Sequence, residues 1–151
     1  MKLEDAIKSN KFRDAKHKAT LNLLYTSWWL KRQVSVLMKE QGITSEQYNV
    51  MRILKGKHPE QMCVKDIGSR MIEKSSNVPR IVDRLVAKKL VKRVPSKEDK
   101  RETLILLTDK GLQHLEVSSK IMDKASEAII GLTEKEAELL NDLLEKLRKT
   151  D

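Results

Sequence analysis

The sequence predicts a mainly α-helical fold that carries one small β-hairpin. Three observations predict it. Glycine and proline number only five and three in 151 residues, among much Leu, Lys and Glu, and that composition favours helix. Apolar residues recur at helical spacing along most of the chain. Two short β-prone runs, Val91–Val94 and Thr103–Leu107, flank the charged loop Ser96-Lys97-Glu98-Asp99-Lys100-Arg101 and read as a hairpin.

Composition sets the outer limits. The length fits one compact domain, or one domain with dimerisation arms. Hydrophobic residues make up 39% of the chain, enough for a core. The aromatics are Phe12, Tyr25, Trp28, Trp29 and Tyr48, so the core beyond them must be aliphatic. A single cysteine, Cys63, excludes an internal disulfide framework. No apolar run approaches the ~18–20 residues of a membrane span, and the N-terminus lacks the apolar stretch of a signal peptide. A cytoplasmic protein without a membrane partner is expected.

The elements follow in order. Residues 11–40 form a long helix with two apolar stripes, Leu23-Leu30-Val34-Leu37 and Leu21-Leu24-Trp28, which predicts burial against its own domain and against a partner chain. Gly42 is the left-handed stop. Thr44 with Gln47 makes a capping box for the next helix, which carries Tyr48, Val50 or Met51, and Leu54 inward and ends at Gly56 and Pro59. Residues 61–63 form a short strand. Residues 64–72 form a short helix with Ile67 and Met71 on one face and Asp66 in the first turn, where the helix dipole favours an acid.

After a polar turn, residues 77–90 form another helix. Ser76 is its expected N-cap, and Pro79 its third residue, where the missing N–H has no helical partner anyway. Val78, Ile81, Val82, Leu85 and Val86 face inward; Arg80 and Arg84, four apart, share an outward face. Helix, polar turn and helix make a helix-turn-helix, and the hairpin directly after it makes a winged helix. Thr108 caps a helix to about residue 130, with Leu112, Leu115, Ile121 or Met122, Ala125 and Ile129 as its apolar positions. Thr133 and Glu136 box the last helix, whose stripe is Leu139, Leu140, Leu143, Leu144 and Leu147.

Charge is unevenly spread. Residues 61–110 hold 13 Lys and Arg against 7 Asp and Glu, a net +6 of the chain's +9. A local positive field suits a polyanion such as nucleic acid; the plain alternative is a basic, soluble surface.

The stretch RIVDRLVAKKLVKRVPSKEDKRETLILLTDKG, residues 80–111, resembles the MarR family of bacterial transcription regulators. It is similar to that family's recognition-helix end, its wing with a D-x-R motif (here Asp99-Lys100-Arg101), and the LT-x-K-G lead into a dimerisation helix. NLLYTSWWL and GITSEQYNVMRILKG look like the family's first two helices. The resemblance covers essentially the whole chain. It implies an N-terminal dimerisation helix region over 1–43, a DNA-binding winged helix-turn-helix over 44–108, and C-terminal dimerisation helices over 109–151. The implied molecule is a homodimer on a pseudopalindromic operator in double-stranded DNA. Many members are repressors released by small aromatic anions, oxidation or metal.

Two positions depart from the family pattern. Lys89 stands where members usually carry glycine; if the backbone needs φ > 0 there, lysine is strained by ~1 kcal/mol, and otherwise the turn is built differently. Pro79 stands where many members carry a polar residue. It cannot donate to a base, but its ring can pack on a thymine methyl.

The candidate DNA-binding residues are Lys65, Ser75, Ser76, Asn77, Pro79, Arg80, Arg84, Arg93, Lys97, Asp99, Lys100 and Arg101. A helix N-terminus in the major groove brings Ser75, Ser76 and Asn77 to base edges and phosphates, and Arg80 to guanine; ordinary capping is the alternative for each of the three. At the hairpin tip, Arg101 suits a narrow minor groove, and Asp99 is placed to aim it; the alternative is a solvated surface pair. Lys65, Arg93, Lys97 and Lys100 suit phosphates.

For an effector, the family resemblance nominates Tyr25, Trp28, Trp29 and Tyr48, with His17 nearby; core packing is the plainer role for aromatics on a helix. Lys31 and Arg32 suit a carboxylate or surface ion pairs. Cys63 reads as an inert small hydrophobe rather than a redox sensor. His17, His58 and His114 lack metal-ligand spacing. No phosphate loop, nucleophile elbow or carboxylate pair nominates a reaction, so neither an enzyme nor a cofactor is expected. A second reading stays open: a winged helix used for protein contacts, without sequence-specific DNA binding.

Overall fold

A computed structural model describes residues 1–99 and 101–148. The elements are α1 (Leu3–Ile7), α2 (Ala15–Glu40), α3 (Ser45–Lys57), β1 (Met62–Cys63), α4 (Val64–Arg70), α5 (Val78–Ala87), β2 (Val91–Pro95), β3 (Thr103–Leu107), α6 (Asp109–Ile129) and α7 (Glu134–Leu147). By internal contacts the chain divides into two compact units, Met1–Ser118 and Ser119–Asp151.

The order matches the sequence expectation apart from the N-terminus. α1 is a five-residue helix, too short to leave a periodic signal. Its Leu3 is buried, and its Glu4 pairs with Lys18 of α2. α2 begins at Ala15 rather than near residue 11, because the Asp14 side chain accepts from His17 N at 2.7 Å and caps the helix there. Gly42, at φ 72, stops α2 as expected.

Both capping boxes form. Thr44 accepts from Gln47 N at 3.1 Å while Gln47 Oε1 accepts from Thr44 N at 3.2 Å. At α7, Glu136 Oε2 accepts from the backbone N–H and the hydroxyl of Thr133, each at 2.8 Å. Those bonds hold the Glu136 carboxyl below the usual carboxylate range. The cap is therefore complete above that range and weakens as pH falls through the lowered value.

The core of the first unit is aliphatic and methionine-rich. Met38, Val50, Met51, Leu54, Ile67, Val82, Leu85 and Ile105 are all at most 1% exposed. The sheet has the order β1-β3-β2, antiparallel throughout, with Met62 opposite Ile105 and Val91 opposite Leu107. Asn49 of α3 ties down the turn between α4 and α5 by accepting from Ile72 N at 3.1 Å.

The junction of α5, β2 and α6 is held by the LTDKG motif. Thr108 N donates to Leu90 O at 3.1 Å, and its hydroxyl donates to Lys89 O at 2.7 Å while accepting from Gly111 N at 3.0 Å. Lys110 Nζ reaches Lys88 O at 3.1 Å. The motif thus caps α6 and grips the end of α5 with one set of side chains. Within the gripped turn Lys89 has φ 61, the left-handed conformation that favours glycine. Lys89→Gly is expected to raise stability by about 0.5–1 kcal/mol, the relieved strain less the added freedom of the unfolded chain. A urea transition moved to higher midpoint with an unchanged slope would show it; a lower midpoint would mean the lysine is not strained.

On α7, Leu139, Leu140, Leu143 and Leu147 are 44–61% exposed, and on α2 Leu24 and Trp28 are 63% and 53% exposed. Among the described residues no helix is long and apolar enough to cross a membrane.

Candidate nucleic-acid interface

α5 opens differently from the sequence expectation. Asn77, not Ser76, is the N-cap, its Oδ1 accepting from Arg80 N at 3.2 Å, and Pro79 is the second helical residue. The serine hydroxyls are drawn elsewhere. Ser76 Oγ lies 3.5 Å from Glu46 Oε1 of α3, and Ser75 Oγ donates to Glu73 Oε1 at 3.2 Å. Glu73 also accepts from Lys31 Nζ of α2 at 2.6 Å. The Lys31 hydrogen bond and charge, with a smaller part from Ser75, hold its carboxyl below the usual range.

Asn77, Arg80 and Arg84 face a common cleft of about 300 Å³. Thr44, Glu46, Gln47 and Ile81 complete its lining. Asn77, Pro79, Arg80 and Arg84 are all exposed, while Val78, Ile81, Val82 and Leu85 are buried and Val86 is half-buried, so the inward and outward faces of α5 fall as the periodicity predicts, with Val86 at the edge. Lys65 is exposed in the first turn of α4.

The wing tip is a hydrogen-bonded turn. Ser96, only 6% exposed, accepts on Oγ from Glu98 N at 3.2 Å and Asp99 N at 3.3 Å, and its own N–H donates to Glu102 O at 2.9 Å. Asp99 Oδ1 then accepts from Arg101 N at 2.9 Å and Arg101 Nε at 3.4 Å. The Arg101 side chain is 92% exposed. Its base is steered by Asp99 and the rest is left to solvent. Lys97 is exposed on the same tip, and Lys100 lies outside the described residues.

Sequence reasoning missed three residues. Ser96 organises the tip; a serine opening a charged loop is an available turn signal. Glu46 is the one carboxylate in the cleft lining. Asp83 of α5 accepts from Arg93 Nη2 of β2, so Arg93 has a partner within the chain rather than a free charge. Neither Glu46 nor Asp83 carries a local sequence signal.

The effector candidates are placed but not gathered. Tyr25 and Trp28 meet with ring centroids 5.5 Å apart, and Arg32 lies 6.0 Å over the Trp28 ring. Trp29 and Tyr48 are half-buried. Neither the cleft beside α5 nor a second cavity, of about 240 Å³ and lined by Gly42, Ile43, Lys88, Leu90, Lys110 and His114, includes any of the four. Cys63 is half-buried, its sulfur accepting from Asp66 N at 3.4 Å at the start of α4. Among the described residues no cluster of His, Cys, Asp and Glu has the form of a metal site.

The geometry has counterparts. The family profile described as transcriptional regulator SarA/Rot matches residues 32–117, which include both helices of the helix-turn-helix and the whole wing. The chain is 31% identical over 109 residues to the HTH-type transcriptional regulator YkoM of Bacillus subtilis, covering 72% of this chain and 70% of YkoM. It is 29% identical over 126 residues to the HTH-type transcriptional repressor IacR of Pseudomonas putida, covering 78% and 74%. In fold it is similar to MepR of Staphylococcus aureus in its DNA complex, with a TM-score of 0.78 at 22% identity over 87% of this chain and 97% of that one. These relatives are transcriptional regulators and not enzymes. A profile match over more than half of its length, on the residues that build its helix-turn-helix and wing, places this chain in the SarA/Rot family of MarR-type winged-helix transcriptional regulators.

Proposed function

We propose that the chain is a sequence-specific DNA-binding repressor, acting in the cytoplasm as a homodimer on a pseudopalindromic operator and released by a small aromatic or anionic effector. One observation carries the DNA-reading part. The polar face of α5 presents Asn77, Arg80 and Arg84 on one exposed cleft, with Arg101 held at the wing tip by Asp99. Similarity to the transcriptional repressor IacR supports repression, and the fold shared with DNA-bound MepR supports the docking mode.

In this reading α5 enters the major groove, with Arg80 on guanine, Asn77 and Ser76 on base edges and Pro79 against a thymine methyl. Arg101 enters the adjacent minor groove. Lys65, Ser75, Arg84, Lys97 and Lys100 meet phosphates. Arg93 supports the wing instead. The helices of the 1–43 and 109–151 regions form the dimer beside the winged-helix region 44–108 of the sequence, covering the exposed leucines of α7 and the second stripe of α2. The aromatic residues Tyr25, Trp28, Trp29 and Tyr48 would line the effector site once the dimer forms.

Selection of bound duplexes from a random pool tests the reading. The expected result is an enriched inverted repeat with half-sites about one helical turn apart. A pool with no enriched repeat at moderate salt would favour the protein-contact reading. Asn77→Ala is expected to cost the selected duplex about tenfold in affinity and a random duplex little, because base contacts specify while phosphate contacts only position. Fluorescence anisotropy on both duplexes checks this, and equal losses would remove Asn77 from base reading.

A further inference from the structure

We propose that Asp83 and Arg93 form a positioning pair that locks the wing to the recognition helix, so that the two meet DNA as one rigid reader. The proposal rests on the DNA-reading function above.

β2 follows α5 through a three-residue turn, Lys88-Lys89-Leu90, whose middle residue is in the left-handed conformation. The LTDKG motif grips that turn at Lys88, Lys89 and Leu90. The ion pair adds a tether farther along the strand: Arg93 Nη2 donates to Asp83 Oδ1, closing a ring over residues 83–93. The far side of the ring is anchored. Arg93 is in register with Ile105 of β3, which is fully buried, and β3 begins two residues after Arg101. Displacement of Arg93 relative to α5 therefore moves the strand that carries the wing tip.

As a stabilising contact the pair is weak. Its side chains are 40% and 63% exposed, and exposed ion pairs add little to folding. As an electrostatic feature Asp83 is costly, since it puts a carboxylate on the reading helix beside Arg84 and three residues from Arg80, where the DNA charge repels it. An acid in that place, directed at the wing, is explained by orientation.

The two explanations predict opposite signs. If Asp83 only lowers the positive field, Asp83→Asn tightens DNA binding. If it positions the wing, the same change weakens it. The test uses the full chain and anisotropy on the duplex that the wild type selects, with thermal midpoints measured alongside. Asp83→Asn and Arg93→Gln are each expected to bind about five- to tenfold more weakly, two pairs acting in the homodimer, with midpoints almost unchanged. The exchange Asp83→Arg with Arg93→Asp keeps the net charge and is expected to restore affinity to within about twofold of wild type. Tighter or unchanged binding by Asp83→Asn overturns the proposal, as does an exchange that fails to rescue, which would make Arg93 a phosphate contact. If the wild type prefers no duplex, the DNA-reading function itself fails and the pair's role with it.

Discussion

Gly111→Ala is expected to destabilise the protein by about 3 kcal/mol or more, a large effect for one methyl group. A Cβ on Gly111 would stand 2.0 Å from Leu90 O, 3.0 Å from Leu90 C and 3.2 Å from Leu107 Cδ2. The nearest obstacles are backbone atoms, which cannot turn aside as a side chain can. Leu90 O is also the acceptor for Thr108 N, so a shift that relieves the clash lengthens that hydrogen bond and adds about 1 kcal/mol. Either α6 or the Lys88–Leu90 turn must move, and the turn joins α5 to the wing. The same substitution at Gly56 or Gly131 meets nothing within 4 Å and serves as the control. Urea unfolding at one fixed protein concentration measures the difference, because the stability of the proposed homodimer would depend on concentration. A Gly111→Ala transition within 1 kcal/mol of wild type would mean that the junction is soft.

The second large effect is on binding. Arg101→Ala is expected to weaken operator affinity by about 10- to 100-fold and to flatten its salt dependence. If the homodimer neutralises ~8 phosphates, log K falls against log salt with a slope near −7. Removing one arginine from each subunit takes away about two ionic contacts, so the slope should move to roughly −5. Asp99→Ala should lose less affinity, since it leaves the cation in place and removes only its two hydrogen bonds. Its slope should stay near that of wild type. Salt-titrated anisotropy separates the two variants, and unchanged affinity for Arg101→Ala would remove the wing from the mechanism.

What the sequence made legible was local chemistry. The capping boxes at Thr44 and Thr133 need only residues three apart, and both form. The wing and the Asp99–Arg101 contact lie within one short loop, so the spacing alone suggested them. The long-range features were hidden. Ser75, Ser76 and Asn77 are all good caps, but Ser76 turns to Glu46 of α3, a distant segment, and Ser75 to nearby Glu73, which is itself held by Lys31 of α2. Arg93 looked like a free cation because its partner lies ten residues away across the turn. The glycine of LTDKG was visible as part of a motif, but its cause is the carbonyl of Leu90, which only the folded chain brings near. The left-handed turn at Lys89 lies between these cases. Resemblance to a glycine-bearing family suggested it, and the observed φ of 61 agrees.

The effector site was the least legible part. Its four candidate aromatics lie outside both described cavities, and two of the four belong to the second apolar face of α2 or its edge. A pocket completed by a second chain would leave little mark on the sequence of one.

The exposed face of α5 and the wing are proposed to read base sequence. The affinity of the purified full chain for its selected inverted repeat, against a scrambled duplex of equal length and composition at one moderate salt concentration, tests this. A preference of about 10³-fold or more for the repeat is expected. Equal affinity for the two duplexes would contradict it.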